Sequence, residues 1–214
     1  MNILLLGPQG SGKGTQARLL TEQYGFFYFE SGAYLRKIAE KNEDLKKDLA
    51  EGKLVPDEEM TSFLQAFFDQ ENLYDDIIFD GFPRTVAQYS FFKNWLLDRQ
   101  VKLDVAIVLD IAEVETIKRL SARRTDPETG QIYNLITSPP PDDFDQSKLI
   151  QREDDKPEGI KKRLALYKER TEPLILELEK DMRVVKVDGE RSVEEIFKDI
   201  VSVLEEYKNE QNKG

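Results

Sequence analysis

Gly7, Gly12 and Lys13, within GPQGSGKGTQ at residues 7–16, keep the spacing of a loop that wraps phosphate in backbone amides. In the usual form a Ser or Thr follows the lysine directly. Here Gly14 intervenes and the hydroxyl arrives at Thr15. An apolar run precedes the loop and a helical pattern follows it. Amide N–H groups and a helix N-terminus therefore converge on an anion, and Lys13 adds a full positive charge. This is the chemistry of a nucleoside-triphosphate site.

A carboxylate at the C-terminal end of a buried strand would serve magnesium accompanying that phosphate. Asp80, closing DIIFD, and Asp110, closing VAIVLD, both qualify, and Asp80 is the better placed because Gly81, Phe82, Pro83 and Arg84 follow it. The arginines are grouped. Arg119, Arg123 and Arg124 close a helical pattern, with Arg119 and Arg123 four apart on one face, Arg152 ends a proline-rich stretch, and Arg163 lies on the next helix. Fixed cations repel one another unless an anion offsets them, so a polyanion is expected between the core and that stretch. Phosphoryl transfer, which relies on positioning and charge stabilisation, asks for such an arrangement. No activated nucleophile or oriented general base is apparent. Direct transfer between two bound nucleotides is the economical reading, and it requires a second nucleotide site.

Composition narrows the alternatives. The 214 residues contain no Cys and no His, which excludes disulfides, thiolate-held zinc and imidazole catalysis. A formal net charge of −11 argues against nucleic acid and anionic membranes as partners. No segment has the roughly 18 apolar residues of a membrane span, and MNILLLG lacks the features of a signal peptide, so a cytoplasmic protein is expected.

The positioning elements follow from periodicity. NILLL, FFYF, DIIFD, VAIVLD and RVVKVD read as strands buried on both faces, and helical spacing covers 13–24, 31–50, 57–70, 85–99, 113–124, 157–180 and 192–207. The fold class is α/β: a P-loop-type five-stranded parallel sheet covered by helices. Residues 31–55 read as a small helical insertion. Residues 125–151, with four prolines, a turn at 126–130 and a strand at 131–135, read as a lid. The core is then 1–30, 56–124 and 152–214.

The ordered blocks GPQGSGKGTQ, SGAYLR, GKLV, DGFPRTVAQ, RLSARR and QREDDKPEGIKKRL resemble the adenylate kinase family over nearly the whole chain, and DGFPRT and the spaced RxDD…RL point to nucleoside monophosphate kinases. The resemblance implies reversible, magnesium-dependent transfer of the terminal phosphate of ATP to AMP, giving two ADP, in a monomer with a core, an AMP-binding insertion at 31–55 and a lid. It implies that Gly10, Ser11, Gly12, Lys13, Gly14 and Thr15 wrap the ATP phosphates, and that Asp80 orients magnesium-bound water. Lys13, Arg84, Arg119, Arg123, Arg152 and Arg163 would act in catalysis. Arg119 and Arg123, with Ile132, Tyr133 and Arg191, would contact ATP. Ser31, Arg36, Lys53, Leu54, Val55, Gly81, Phe82, Pro83, Arg84, Gln88, Arg152 and Arg163 would bind AMP, with the Gln88 carboxamide suited to an adenine edge.

Four departures accompany the resemblance. Ser31-Gly32-Ala33 stands where the family usually has Thr-Gly-Asp, and Glu30 where a small hydroxyl residue is usual. Gln131 replaces a common lid arginine, and the insertion is about one helical turn short. Structural zinc is not expected; Asp126 and Thr129, with Asp142, Asp143, Asp145 and Ser147, are candidates for a hydrogen-bonded lid instead. A kinase for GMP, UMP or CMP, or a weakly active ATP/AMP-binding sensor, are the alternative readings. A P-loop switch protein needs the hydroxyl beside the lysine, where Gly14 stands.

Overall fold

The computed structural model describes residues 1–51 and 55–212. β1 (Ile3–Leu6), β2 (Phe27–Glu30), β3 (Ile77–Asp80), β4 (Val105–Asp110) and β7 (Val184–Asp188) form one sheet in the order β2-β3-β1-β4-β7. Every neighbouring pair is parallel. From β1 the chain winds one way through β2 and β3, then the other way through β4 and β7. The C-terminal ends of β1, β3 and β4 thus flank a topological switch point, where open α/β sheets bind ligands.

The strand side chains alternate between two cores. Leu4 and Leu6 join Phe29, Phe68, Phe79 and Phe92 on one face, while Ile3 and Leu5 join Leu20, Ile107, Ile196 and Ile200 on the other. The three central strands are buried as the apolar runs predict. The edge strands β2 and β7 are only partly covered, and Lys186 of β7 is exposed.

The helices are α1 (Lys13–Tyr24), α2 (Ser31–Ala39), α3 (Glu43–Ala50), α4 (Asp57–Glu71), α5 (Val86–Asp98), α6 (Glu113–Ser121), α7 (Pro157–Leu166), α8 (Glu172–Asp181) and α9 (Val193–Gln211). The single helix expected over 31–50 is two. The chain breaks after Ala39, and the Asn42 side chain accepts from the Leu45 amide to start α3. The helix expected over 157–180 is α7 and α8 joined by a π-helical turn at Tyr167–Thr171.

The helical pattern over 113–124 also ends early. After Ser121 the chain turns into β5 (Arg123–Thr125), which pairs antiparallel with β6 (Ile132–Asn134) in a separate two-stranded sheet. Arg123 is therefore on a strand and shares no helix face with Arg119. The cross-strand hydrogen bonds satisfy the backbone that a longer helix would have satisfied internally. The strand expected at 131–135 is present as β6.

Candidate active site

The phosphate loop leaves β1 at Gly7, whose φ is +138° and where a Cβ would stand 2.4 Å from the Leu109 carbonyl oxygen. Only glycine lets the loop lie this close to β4. Gly12, in left-handed conformation, delivers the chain into α1, so Lys13, Gly14 and Thr15 form the helix's first turn. The Lys13 ammonium folds back over the loop and donates to the Gly7 and Pro8 carbonyls at 2.9 and 3.0 Å. Burial pulls its pKa below the ordinary 10.5. Asp80 opposes the pull, while Arg84, Arg163 and Arg123 add to it. An arriving phosphate would relieve this arrangement.

Asp80 ends β3, buried, with the Tyr28 hydroxyl donating to it at 2.9 Å. Burial raises its pKa, and Lys13 only partly offsets that. A buried carboxylate so incompletely compensated fits a hydrated magnesium ion. Asp110 is exposed and lies outside the cleft described below. Among the described residues no group of three or more His, Cys, Asp or Glu converges as a metal cluster.

Gly81, at φ +78°, follows Asp80; a Cβ there would meet Ser31 Oγ at 2.6 Å and an Arg84 guanidinium nitrogen at 3.0 Å. Arg84 is held by its Nε, which donates to the Gly81 carbonyl at 2.6 Å. Burial lowers its pKa, against the attraction of Asp80 and Glu30. The Ser31 hydroxyl is buried without a partner. Arg36 donates to Glu30 at 2.9 Å. Val55 is buried; Lys53 and Leu54 lie outside the described residues. Phe82 corrects the sequence reading: its side chain is fully buried against Phe92, ring centroids 5.2 Å apart, so it packs the core rather than lining the pocket. Gln88 Oε1 accepts from the Arg84 amide at 2.7 Å and its Nε2 donates to Asp57 at 2.9 Å.

On the other side Arg119 donates to Glu115 at 2.8 Å and to the carbonyls of Gly189 and Gly10 at 2.9 and 3.4 Å, tying α6 to the phosphate loop. Arg123 closes a two-pronged pair on Asp155, and Arg163 bonds Asp154 at 2.7 Å. Burial pulls Arg163 down to about 10, which leaves it a cation at neutral pH. Arg152 donates to Thr125 at 3.0 Å, and burial lowers its pKa with Arg36 and Arg123 acting the same way. Ile132 and Tyr133 lie on β6, with the Tyr133 ring 5.4 Å from Phe144. The Arg191 guanidinium turns away to Asp199 of α9. In the turn at 126–130 Asp126 accepts from Thr129 Oγ1 at 2.6 Å and from the Glu128 amide at 2.9 Å. Asp145 pairs separately with Ser147, and Asp142 and Asp143 are exposed.

One cleft of about 1960 Å³ gathers Lys13, Asp80, Arg84, Arg119, Arg123, Arg152 and Arg163, with Arg36 of α2, Gln88 of α5, and Ile132 and Tyr133 of β6 also lining it. Sites for one small ligand run roughly 300–1,000 Å³, so this cleft has room for two nucleotides. Tyr28, Asp57, Asp154 and Asp155 were not assigned roles from sequence. Tyr28 shares a strand face with Glu30, two residues on, and the paired acids sit inside the quoted RxDD block, so both carried a signal.

Comparison with known proteins gives the same direction. The family model described as "Adenylate kinase" matches residues 5–182. A protein named adenylate kinase from Thermococcus onnurineus is 38% identical, aligned over 100% of this chain and 98% of its own length. One of the same name from Archaeoglobus fulgidus is 38% identical over 98% of this chain and 100% of its own. Another, from Petrotoga mobilis, is 35% identical over 97% and 99%.

Proposed function

The chain belongs to the adenylate kinase family, an ATP:AMP phosphotransferase working with magnesium, and from that premise we propose which of its residues carry the reaction. The observation that carries the reading is the convergence of Lys13, Arg84, Arg123, Arg152 and Arg163 on one cleft beside Asp80. Each of Lys13, Arg84, Arg152 and Arg163 has its pKa depressed, burial being the first cause and a neighbouring cation a further one. Such a cluster is strained without an anion and relieved by one.

In the reaction an oxygen of the AMP phosphate attacks the terminal phosphorus of ATP, and the bond to the bridging oxygen breaks, leaving ADP on each side. Gly10 to Thr15 hold the donor phosphates through backbone amides and the Thr15 hydroxyl. Lys13, Arg119, Arg123 and Arg163 meet the charge that spreads over the migrating group. Magnesium supplies charge neutralisation on the ATP phosphates, and Asp80 is the carboxylate suited to its water. Arg36, Arg84 and Arg152 take the acceptor phosphate. Ser31, with its unpartnered buried hydroxyl, Val55, Gly81, Pro83 and Gln88 line the acceptor side. Ile132, Tyr133 and the backbone at Arg191 approach the ATP adenosine.

The core is 1–30, 56–124 and 152–214, the acceptor insertion 31–55 and the lid 125–151, which closes to exclude water from the activated phosphate. β6 lies within the lid segment and pairs with β5, which straddles its first boundary. Among the described residues no helix is long and apolar enough to cross a membrane. A cytoplasmic monomer is the accompanying reading. An acceptor panel with ATP and magnesium tests the assignment: AMP is expected to be phosphorylated faster than GMP, UMP or CMP. A faster turnover of another monophosphate would overturn the acceptor, and binding without turnover would favour the sensor reading.

A further inference from the structure

Asp57 stands in the first turn of α4, and both of its carboxylate oxygens are engaged by α5 and its capping residue. Oδ1 accepts from Gln88 Nε2 at 2.9 Å, and Oδ2 accepts from the Thr85 hydroxyl at 3.1 Å. Thr85 in turn caps α5 by accepting from the Gln88 amide at 3.0 Å. On its far side Gln88 Oε1 accepts from the Arg84 amide at 2.7 Å. Gln88 is thus fixed between a group that only accepts and a group that only donates.

This settles the orientation of its carboxamide by chemistry. With the amide reversed, Oε1 would face a carboxylate and Nε2 would face an N–H, two repulsions in a site where Gln88 is 3% exposed. What Gln88 still offers the cleft is one N–H and one lone pair, in a fixed order. On the Watson–Crick edge a 6-aminopurine presents an exocyclic donor beside a ring acceptor, and a 6-oxopurine an exocyclic acceptor beside a ring N–H donor. For a base held in one orientation by its phosphate and ribose, an amide locked one way matches only one of the two.

We infer that Asp57 is a positioning residue for acceptor-base selection, acting through Gln88 to hold the carboxamide in the order that fits an aminopurine. The inference rests on the reading that Gln88 faces the acceptor base. Pro56 precedes Asp57 at the helix start, and the helix N-terminus favours the carboxylate that does this.

The test compares kcat/KM for AMP with that for inosine monophosphate, a 6-oxo probe, at saturating ATP and magnesium, in the full-length protein and in D57L, D57N and Q88A. D57L is expected to lower the AMP preference roughly tenfold, the worth of one charge-assisted hydrogen bond, with the KM for ATP unchanged. D57N keeps a neutral acceptor and should lose less, roughly threefold, because neutral hydrogen bonds are about half as strong. If D57L does not fold, D57N carries the test. A preference that stays at the wild-type value in D57N while Q88A lowers it overturns the role of Asp57. A preference unmoved in Q88A overturns instead the reading of Gln88, which keeps the two failures apart.

Discussion

Arg123 closes two hydrogen bonds on Asp155, at 2.7 Å through Nε and 2.5 Å through Nη2, and that carboxylate is 1% exposed. Arg163 reaches the same carboxylate at 3.4 Å. One buried anion thus anchors two cations that both face the cleft. Removing one partner of a buried pair leaves the other charge uncompensated, which costs more than the pair contributes. D155N is expected to lose about 3 kcal/mol of unfolding free energy in denaturant titration. Turnover should fall as well, since Arg123 and Arg163 lose the group that aims them.

Lys13 presents the opposite balance. Its ammonium is buried on two loop carbonyls among other cations, and burial holds its pKa below 10.5. In its proposed role such a charge serves the reaction and not the core, so K13M is expected to lower kcat roughly 10²- to 10³-fold with stability kept or raised. The pH dependence has a definite sign. Between the lowered folded pKa and 10.5 the unfolded chain holds more protons, so the free wild-type protein gains stability relative to K13M as pH rises through that window. Parallel denaturation curves for the two proteins, without nucleotide, check it.

Glu30 occupies Arg36 at 2.9 Å, and its charge also reaches Arg84. Both arginines are assigned to the acceptor phosphate, which must compete with this carboxylate. The pair is partly exposed, so its worth is modest, on the order of 0.2–1 kcal/mol. E30S is therefore expected to lower the KM for AMP by a factor of roughly 1.5 to 5 while leaving the KM for ATP unchanged. Steady-state kinetics varying each nucleotide in turn separates the two sides of the cleft.

In the turn at 126–130, the Thr129 hydroxyl and then the Glu128 amide hold the Asp126 carboxyl below its ordinary 3.8. The stability this gives the turn is present above 3.8 and is lost as pH falls through the lowered folded value. T129V should move the Asp126 pKa back up toward 3.8, read by following its carboxyl resonance across an acid titration.

Much of this site was legible because it is local. The phosphate loop lies within ten consecutive residues, and the sheet declared itself in apolar runs too short for helices. Arg123 was misplaced because helical spacing continues past Ser121, and only pairing with β6 turns it into a strand. Phe82 was read as a pocket residue from its motif, whereas its ring belongs to the aromatic core. The supporting partners escape sequence pattern for a related reason. Tyr28 meets Asp80 across 52 positions, Gln88 meets Asp57 across 31, and Arg123 meets Asp155 across 32. No periodicity encodes contacts of that range; the sheet order and helix packing create them.

The π-helical turn at Tyr167–Thr171 carries a last consequence. In an unbroken α-helix Thr171, eight positions after Arg163, would stand roughly 80° round the axis from it. The one extra residue of the wide turn leaves it roughly 20° away. One helical rod thereby turns both Arg163 and Thr171 toward the cleft side, and the Thr171 hydroxyl donates to the Arg84 carbonyl at 3.1 Å. Arg84 is then held at its backbone from the π-helical turn and at its Nε from Gly81. T171V keeps the shape and removes the donor, so about 1 kcal/mol of stability should be lost, together with a rise of roughly threefold in the KM for AMP. T171S restores the hydroxyl and should recover both. If T171V loses stability with the KM for AMP unmoved, the hydroxyl braces the helix junction and not the arginine.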